Sequence, residues 1–259
     1  MPFWPLKVKA AKVGATGVWT DPYSRLRGKW HEVPAGDGRV STADLAGLPD
    51  AELIARWQSF FDAATQGEHF RDRGWYQLLY KDVLAGKRVM DVGSGLGFDA
   101  ITFAGAGAHV TCVDIVESNL SVLKRLCALK GLADVGFCYL DTVASLRALA
   151  ADYDVLWCQG SMLHAPFEVV REEAQELLRH LRIGGRWIEL AYPRERWERE
   201  GRKPFDRWGV NTDGENTFWA EWYDIEKVRR RLAPAQFDVV MSFNFGNDNF
   251  IWFDLVRRA

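Results

Sequence analysis

Cysteine is scarce in this chain, with four among 259 residues. Cys112, Cys127, Cys138 and Cys158 stand apart, with no Cys-x-x-Cys pair and no histidine at ligand spacing. They read as small core hydrophobes, so neither a disulfide nor a bound metal is expected. An excess of one charge is missing too. The formal net charge is −2, which leaves no global attraction for nucleic acid or for an acidic membrane surface. No apolar run approaches the roughly 18 residues that a membrane span needs. The opening stretch, MPFWPLKVKAAKVG, has two early prolines and lacks the apolar centre of a secretory leader. A cytoplasmic protein with no membrane and no nucleic-acid partner is the expectation, as a monomer or homodimer. Internal repeats and low-complexity segments are also absent.

Tryptophan is what the chain has in surplus, with twelve residues. Trp4, Trp19, Trp30, Trp57, Trp75, Trp197, Trp208, Trp219 and Trp222 lie outside the stretches that read as a core sheet. Aromatic residues concentrated there point to a second small core or to the lining of a pocket. Apolar content of 48% and charged content of 26% are ordinary for a globular chain. The length suits one α/β domain with a smaller appendage.

Residues 1 to about 48 are interrupted too often by glycine and proline for long elements, and irregular backbone is expected. Asp50 is placed to cap a helix carrying Leu53, Ile54, Trp57, Phe60, Phe61 and Ala64 on one face. A second helical stretch runs over 74–84. From residue 87 strand and helix alternate, with strands expected at 88–92, 109–115, 135–140, 153–158 and 186–191. The clearest amphipathic helix covers 168–181, and Gly184-Gly185 separates it from the fifth strand. After a charged, aromatic stretch at 193–222 come a helix at 224–232 and strands at 237–243 and 250–256. The last two are joined by six residues, Asn244 to Asn249, which suits a hairpin and excludes a parallel crossover. The expected fold is therefore α/β: a seven-stranded, mostly parallel, doubly wound sheet with an antiparallel C-terminal hairpin. Residues 1–74 form an N-terminal cap or lid and 75–259 the main domain, with 193–222 inserted as a substrate cap.

The chemistry centres on Lys87–Thr102, KRVMDVGSGLGFDAIT. An apolar strand ends at Asp91, glycines follow at 93, 95 and 97 around Ser94, and a helix begins at once. Bare amides at such a turn let a ligand approach the backbone closely. A dinucleotide fingerprint, Gly-x-Gly-x-x-Gly, would need glycine at 98, where the chain has phenylalanine. A methionyl tail with its ammonium suits the carboxylate of Asp91 instead. Asp114 closes the second strand and is placed to accept hydrogen bonds from ribose hydroxyls.

In these motifs the chain resembles the class I S-adenosylmethionine-dependent methyltransferases over roughly residues 75–258. VMDVGSGLG looks like the family's glycine motif and VTCVDI its acidic ribose motif. Tyr139-Leu140-Asp141-Thr142 stands where the family holds an acidic residue beside the adenine amino group. YDVLWCQGSMLHAP resembles the fourth-strand motif and LRIGGRWIELAY the fifth strand. The resemblance implies S-adenosylmethionine as cofactor and S-adenosylhomocysteine as product. It also implies cofactor contacts from Asp91, Gly93, Ser94, Gly95, Gly97, Asp114, Ile115, Asp141, Thr142, Gln159 and Gly160. Asp141 has a rival role as cap of the helix that follows, and Ile115 and Leu140 a rival role as plain core.

Methyl transfer needs an aligned nucleophile, and a base where the acceptor must lose a proton. His164, just beyond the fourth strand, is the candidate base; helping to cap the next helix is its alternative. Glu189, Tyr192 and Arg194 at the end of the fifth strand are candidates for holding a polar acceptor, although Glu189 equally suits a helix packed outside the sheet. Trp19, Tyr23 and His31, with His69 behind them, are candidates from the N-terminal segment. The 193–222 stretch has six basic and seven acidic residues, which is no track for RNA. Gln159-Gly160-Ser161-Met162 lacks the Asn/Asp-Pro-Pro-aromatic motif of DNA base methyltransferases. The expected acceptor is an O or N atom of a polar small molecule, a sugar or aminosugar of secondary metabolism. Alternatives are a peptide or protein acceptor, a nicotinamide-dinucleotide oxidoreductase, and a catalytically idle binding protein of the same fold.

Overall fold

A computed structural model describes residues 22–35 and 38–259. The N-terminal region is more regular than its glycines and prolines suggest. Helix α1 (Pro22–Trp30) leads into antiparallel strands β1 (Glu32–Ala35) and β2 (Gly38–Ser41), followed by the short helix α2 (Thr42–Ala46). Gly28 is exposed on α1 and Pro34 on β1, where a two-stranded ribbon leaves room for a residue without an amide hydrogen. Helix α3 (Asp50–Thr65) starts directly behind Pro49. Asp50 is its first residue and makes no cap; its carboxylate instead receives the Arg125 guanidinium. Helix α4 (Gly74–Tyr80) is shorter than its periodicity, the chain continuing in turns to Gly86.

The alternating part runs β3 (Arg88–Val92), α5 (Phe98–Gly105), β4 (His109–Asp114), α6 (Glu117–Leu129), β5 (Val135–Tyr139), a 3-10 turn (Val143–Ala148), β6 (Tyr153–Gln159), α7 (Phe167–Leu178) and β7 (Leu181–Pro193). Then come α8 (Arg194–Arg199), α9 (Phe205–Asp213), β8 (Trp222–Tyr223), α10 (Ile225–Leu232), β9 (Phe237–Phe245) and β10 (Phe250–Arg257). The main sheet has the order β5-β4-β3-β6-β7-β10-β9, with β8 adding a short pairing to the end of β7. Strands β3 to β7 are mutually parallel and β10 is antiparallel to both β7 and β9. Strand β7 begins five residues before its expected start. Its glycines lie inside it, at a register shift that pairs Tyr153 with Leu181 and then Val155 with Arg186; such an irregularity absorbs extra residues without ending the strand.

Side chains along each strand alternate between two cores. On β6, Val155 and Trp157 join the core under α3, α4, α5 and α6, while Leu156 and Cys158 join the one under α7 and α10. Trp157 is fully buried, its ring edge-on to Phe103, Tyr80 and Trp252. Two ion pairs, one partly and one fully buried, tie the C-terminal elements to this frame. Arg186 pairs with Asp254, which also accepts from Tyr80, and Arg231 on α10 pairs with Glu189 on β7. No helix among the described residues is long and apolar enough to cross a membrane.

The tryptophan surplus resolves into several roles. Trp57 is core: it stacks on Phe61, meets Phe98 edge-on, and donates from Nε1 to the Leu96 carbonyl at 2.8 Å. It thus buttresses the glycine turn from behind. Replacing it leaves a large cavity and an unpaired carbonyl. Trp57→Ala is expected to lower unfolding free energy by about 3–5 kcal/mol, and Trp57→Phe by about 1 kcal/mol for the lost hydrogen bond. Urea unfolding followed by circular dichroism would check both. Equal losses for the two variants would refute the assigned role of the indole N–H.

Candidate active site

The turn between β3 and α5 depends on glycine for two reasons. Gly93, Gly95 and Gly97 have φ of 77°, 51° and 70°, a region that side-chain-bearing residues avoid. A Cβ on Gly93 would lie 2.5 Å from Ser161 Cβ, and one on Gly97 would lie 2.1 Å from Leu123 Cδ1. The Gly93 amide donates to the Val113 carbonyl (2.7 Å) and the Gly95 amide to Asp114 Oδ2 (2.8 Å), fixing the turn against the end of β4. The β1–β2 ribbon packs over it through Val33.

Beside this turn opens a cavity of about 460 Å³. Of the residues expected at the site, Asp91, Gly93, Ser94, Gly95, Gly97, Asp114, Ile115, Gln159 and Gly160 line it, as do Tyr23, Tyr192, His69 and His164. Others are elsewhere. Asp141 is 62% exposed and ion-paired with Arg27 of α1 (3.1 Å). Thr142, not Asp141, caps the following turn, in a reciprocal capping box with Ser145. Glu189 is fully buried away from the cavity, bound by Arg231 and by Trp187 Nε1 (2.7 Å); it faces α10, the alternative considered for it. Arg194 is exposed and pairs with Glu198 at 3.3 Å. His31 is exposed and is not among the cavity walls. Trp19 lies outside the described residues.

Carboxylates crowd the floor of the cavity. Burial pushes Asp91 well above the usual range, reinforced by the like charges of Asp99 and Asp114 and opposed by Arg73. Burial also raises Asp99, against Arg73 and the hydrogen bonds of Gln77 and Trp157 Nε1. Asp114 is pushed up to about 6 by burial, although it accepts from the Gly95 and Val116 amides and from Asn119 Nδ2. Buried polar atoms without any hydrogen-bond partner cluster on the same walls: Ser94 Oγ, Asn119 Oδ1, Ser161 Oγ, both amide atoms of Gln159 and one Arg39 nitrogen. Such atoms are costly unless a ligand or water satisfies them. Buried carboxylates and unused side-chain donors and acceptors fit a polar, positively charged ligand with sugar hydroxyls.

A second group stands across the cavity. His164 is 4% exposed, and its Nδ1 lies 3.0 Å from the Trp219 carbonyl. A carbonyl only accepts, so Nδ1 carries the proton and the Nε2 lone pair remains. Asp213 Oδ2 stands 3.5 Å from Nε2, takes the Tyr192 hydroxyl at 2.7 Å, and shares its carboxylate with Arg39 at 3.1 Å. Burial holds His164 below its ordinary value despite the Asp213 charge. Asp213 is also buried, yet His164, Tyr192, Thr212 and Arg39 together keep it below the usual carboxylate range. Trp30 leans on His164, ring centroids 4.7 Å apart. His164 does not cap α7, whose entry is at Pro166.

Sequence reasoning missed Asp213, Arg39, Arg73, Asp99 and Asn119. Asn119 had a signal, standing five residues beyond Asp114 at the start of a helix, and Asp99 closes the glycine motif itself. Nothing in the sequence distinguishes Asp213 from the other acidic residues of its stretch, because its partners Tyr192, His164 and Arg39 all lie outside α9, as far as 174 residues away.

Residues 89–185 match the model of the methyltransferase domain family. Together with the strand order and the glycine turn, this makes the region a class I S-adenosylmethionine-dependent methyltransferase domain. Among curated proteins the chain is similar to the ubiquinone biosynthesis O-methyltransferase of Aromatoleum aromaticum, 35% identical over 119 residues, which are 45% of this chain and 49% of that protein. The protein of the same name from Hahella chejuensis is 32% identical over 131 residues, 49% and 53% of the two chains. The chain thus spans about half the length of the curated relatives it matches. Among solved structures, magnesium protoporphyrin IX methyltransferase from Synechocystis, with bound S-adenosylhomocysteine, shares the fold at a TM-score of 0.54 and 21% identity, covering 92% of this chain and 94% of that one. An S-adenosylmethionine-dependent methyltransferase from Clostridium acetobutylicum does so at 0.57 and 13%, covering 79% and 99%.

The environment of His164 has a spectroscopic consequence. Its imidazole is expected to be neutral at pH 7 and to titrate below 6.5, and Asp213→Asn to titrate lower still because the carboxylate no longer favours the cation. The Cε1–H proton shift followed against pH, assigned by its loss in His164→Ala, would check this. A midpoint above 6.5 would contradict the dominance of burial.

Proposed function

We propose that the whole protein is an S-adenosylmethionine-dependent methyltransferase acting on an oxygen or nitrogen of a polar small molecule. The observation that carries this reading is the joining, in one cavity, of the glycine turn and its buried carboxylates with a neutral histidine backed by an aspartate. Asp91 would hold the methionyl ammonium, and Gln159, Gly160 and Ser161 the neighbouring part of the methionyl chain. Asp114 with Asn119 would take the ribose hydroxyls, and Ile115 with Leu140 would cover the adenine. The described residues before 75 and the stretch 193–222 act as the cap over the acceptor, contributing Trp30, Arg39, Arg196 and Asp213 to the cavity wall.

When bound, the donor supplies a methyl carbon already activated by sulfonium charge. The protein's work is then alignment, exclusion of water and removal of a proton. His164 Nε2 accepts the proton of an attacking hydroxyl, while Nδ1 stays bonded to the Trp219 carbonyl and holds the ring in place. The imidazolium that forms faces the anionic Asp213, so its charge is met as it develops. Tyr192 and Arg39 keep that aspartate oriented. A hydroxyl acceptor suits this arrangement better than a free amine, because a neutral base has work to do there. The Trp30 and Tyr192 rings, together with the Asn249 and Arg39 polar groups at the wall, suit the mixed apolar and polar faces of a sugar or aminosugar, the kind of acceptor found in secondary metabolism.

Asp114→Ala is expected to abolish stabilisation by S-adenosylhomocysteine in a thermal-shift assay. His164→Ala should keep that stabilisation and lower turnover by about 10²–10⁴-fold. Turnover would be read with labelled donor and a metabolite extract, followed by identification of the labelled product. Stabilisation of the wild-type protein by NAD and not by S-adenosylhomocysteine would overturn the reading.

A further inference from the structure

The cavity wall carries three arginines, Arg39, Arg73 and Arg196. Arg73 lies over the Phe98 ring, and its charge is met by Asp99 and Asp91 at the floor. Arg196 donates from Nε to Glu200 Oε1 at 2.8 Å and lies over the Tyr192 ring. Arg39, on β2, is left with less. Its Nη2 donates to Asp213 Oδ1 (3.1 Å), and its guanidinium stands 5.2 Å from the centre of the Trp30 ring. The side chain is 24% exposed, yet its Nη1 is buried and has no hydrogen-bond partner among the described residues. One other arginine nitrogen shares that condition, Arg231 Nε, and it belongs to the Glu189 pair away from the cavity. Asp213 cannot serve Arg39 alone, because the same carboxylate takes the Tyr192 hydroxyl and faces His164 Nε2. Lys29 brings a further cation. It is 4% exposed, donates to the Glu215 carbonyl (2.7 Å) and stands 3.8 Å from the half-exposed Glu32. The charges acting on His164 are therefore two cations, Arg39 and Lys29, against the one carboxylate of Asp213. A buried, unused guanidinium donor is costly, and the planar fork fits a carboxylate or a phosphate.

We propose that the acceptor is a hydroxyl compound bearing an oxyanion, a carboxylate or a phosphate, and that Arg39 Nη1 anchors this anion beside the His164–Asp213 pair. This rests on the methyltransferase reading made above and narrows its acceptor. Among the sugars that suit the cavity it selects acidic ones and rejects amino sugars, whose ammonium would stand against Arg39. A neutral carbonyl would complete the hydrogen bond of Nη1 and leave the surplus of positive charge in place. That surplus bears on the chemistry. Arg39 and Lys29 both disfavour the imidazolium form of His164, the form it takes on accepting the hydroxyl proton. An acceptor anion held at Arg39 offsets them, so proton transfer becomes easier once the acceptor is seated. The anion itself is unchanged: the hydroxyl oxygen gains the methyl group, its proton goes to Nε2, and the carbon–sulfur bonding pair stays on sulfur. Arg39 keeps its Nη2 on Asp213 throughout, so one guanidinium positions both the partner of the base and the acceptor.

The test divides the metabolite extract by ion exchange into anionic, neutral and cationic pools, and supplies each with labelled S-adenosylmethionine and the whole protein. Label is expected in products of the anionic pool. Treating that pool with alkaline phosphatase beforehand separates the two sources: transfer is lost for a phosphate and kept for a carboxylate. With the acceptor purified from the pool, Arg39→Met should raise KM about 10–100-fold and lower kcat by less, while S-adenosylhomocysteine still stabilises the variant. Arg39→Lys, which keeps the charge, should recover most of that loss. A fall in kcat with KM unchanged in Arg39→Met would mean that Arg39 only orients Asp213, and would overturn the anion site. Label confined to the neutral or cationic pool would overturn it without any variant and leave the methyltransferase reading standing. No label in any pool, from a protein that S-adenosylhomocysteine stabilises, would overturn both.

Discussion

The structure depends on carboxylates buried where no permanent counter-charge fully answers them. Asp91, Asp99 and Asp114 surround one glycine turn, and burial lifts all three. An ionised carboxylate in low dielectric is tolerated only when it is paired or hydrogen-bonded. The fold supplies part of what is needed: the Gly95 and Val116 amides for Asp114, Gln77 and Trp157 for Asp99, and the charge of Arg73 for Asp91 and Asp99. The remainder has to come from a ligand that is cationic at one end and rich in hydroxyls further along. The site is in this sense under tension, and the surrounding elements exist to hold it. Trp57 supports the turn from one core. The β1–β2 ribbon covers it, and α4 brings Gln77 and Tyr76 under it.

Across the cavity the solution is the reverse. Asp213 stays ionised despite burial because Tyr192, Thr212 and Arg39 converge on it, and the histidine beside it stays neutral because burial outweighs the Asp213 charge. The two halves of the cavity therefore hold opposite electrostatic states: acids that resist ionisation against the sheet, and an acid that resists protonation under the cap. A molecule spanning both would meet its cation-binding groups at one end and a free lone pair at the other.

What was legible in the sequence follows the range of the interactions. The strand ends at Asp91 and Asp114, the glycines between Val92 and Phe98 and the loop after Gln159 are local patterns, readable because strand, turn and helix chemistry act over a few residues. The doubly wound order followed from their alternation. The fate of Glu189 was not legible, since its partner Arg231 is 42 residues on and only packing decides which face of β7 turns outward. Asp141 occupied the family's position, yet Arg27, from 114 residues earlier, claims it. The irregular look of 22–48 misled because short elements there are held by what they pack against, not by their own periodicity.

Helix α1 has one more property. Its side chains bond across 88, 150 and 186 residues of sequence, to Ile115, Glu173 and Glu215. None of those partners exists in place until the sheet and the 193–222 stretch have formed. The first described element to leave the ribosome is thus the last that can dock. Contacts of such span contribute little to early folding and impose slow closure. The wall that completes the cavity is consequently assembled over a finished core, and the order of synthesis and the order of assembly run opposite ways.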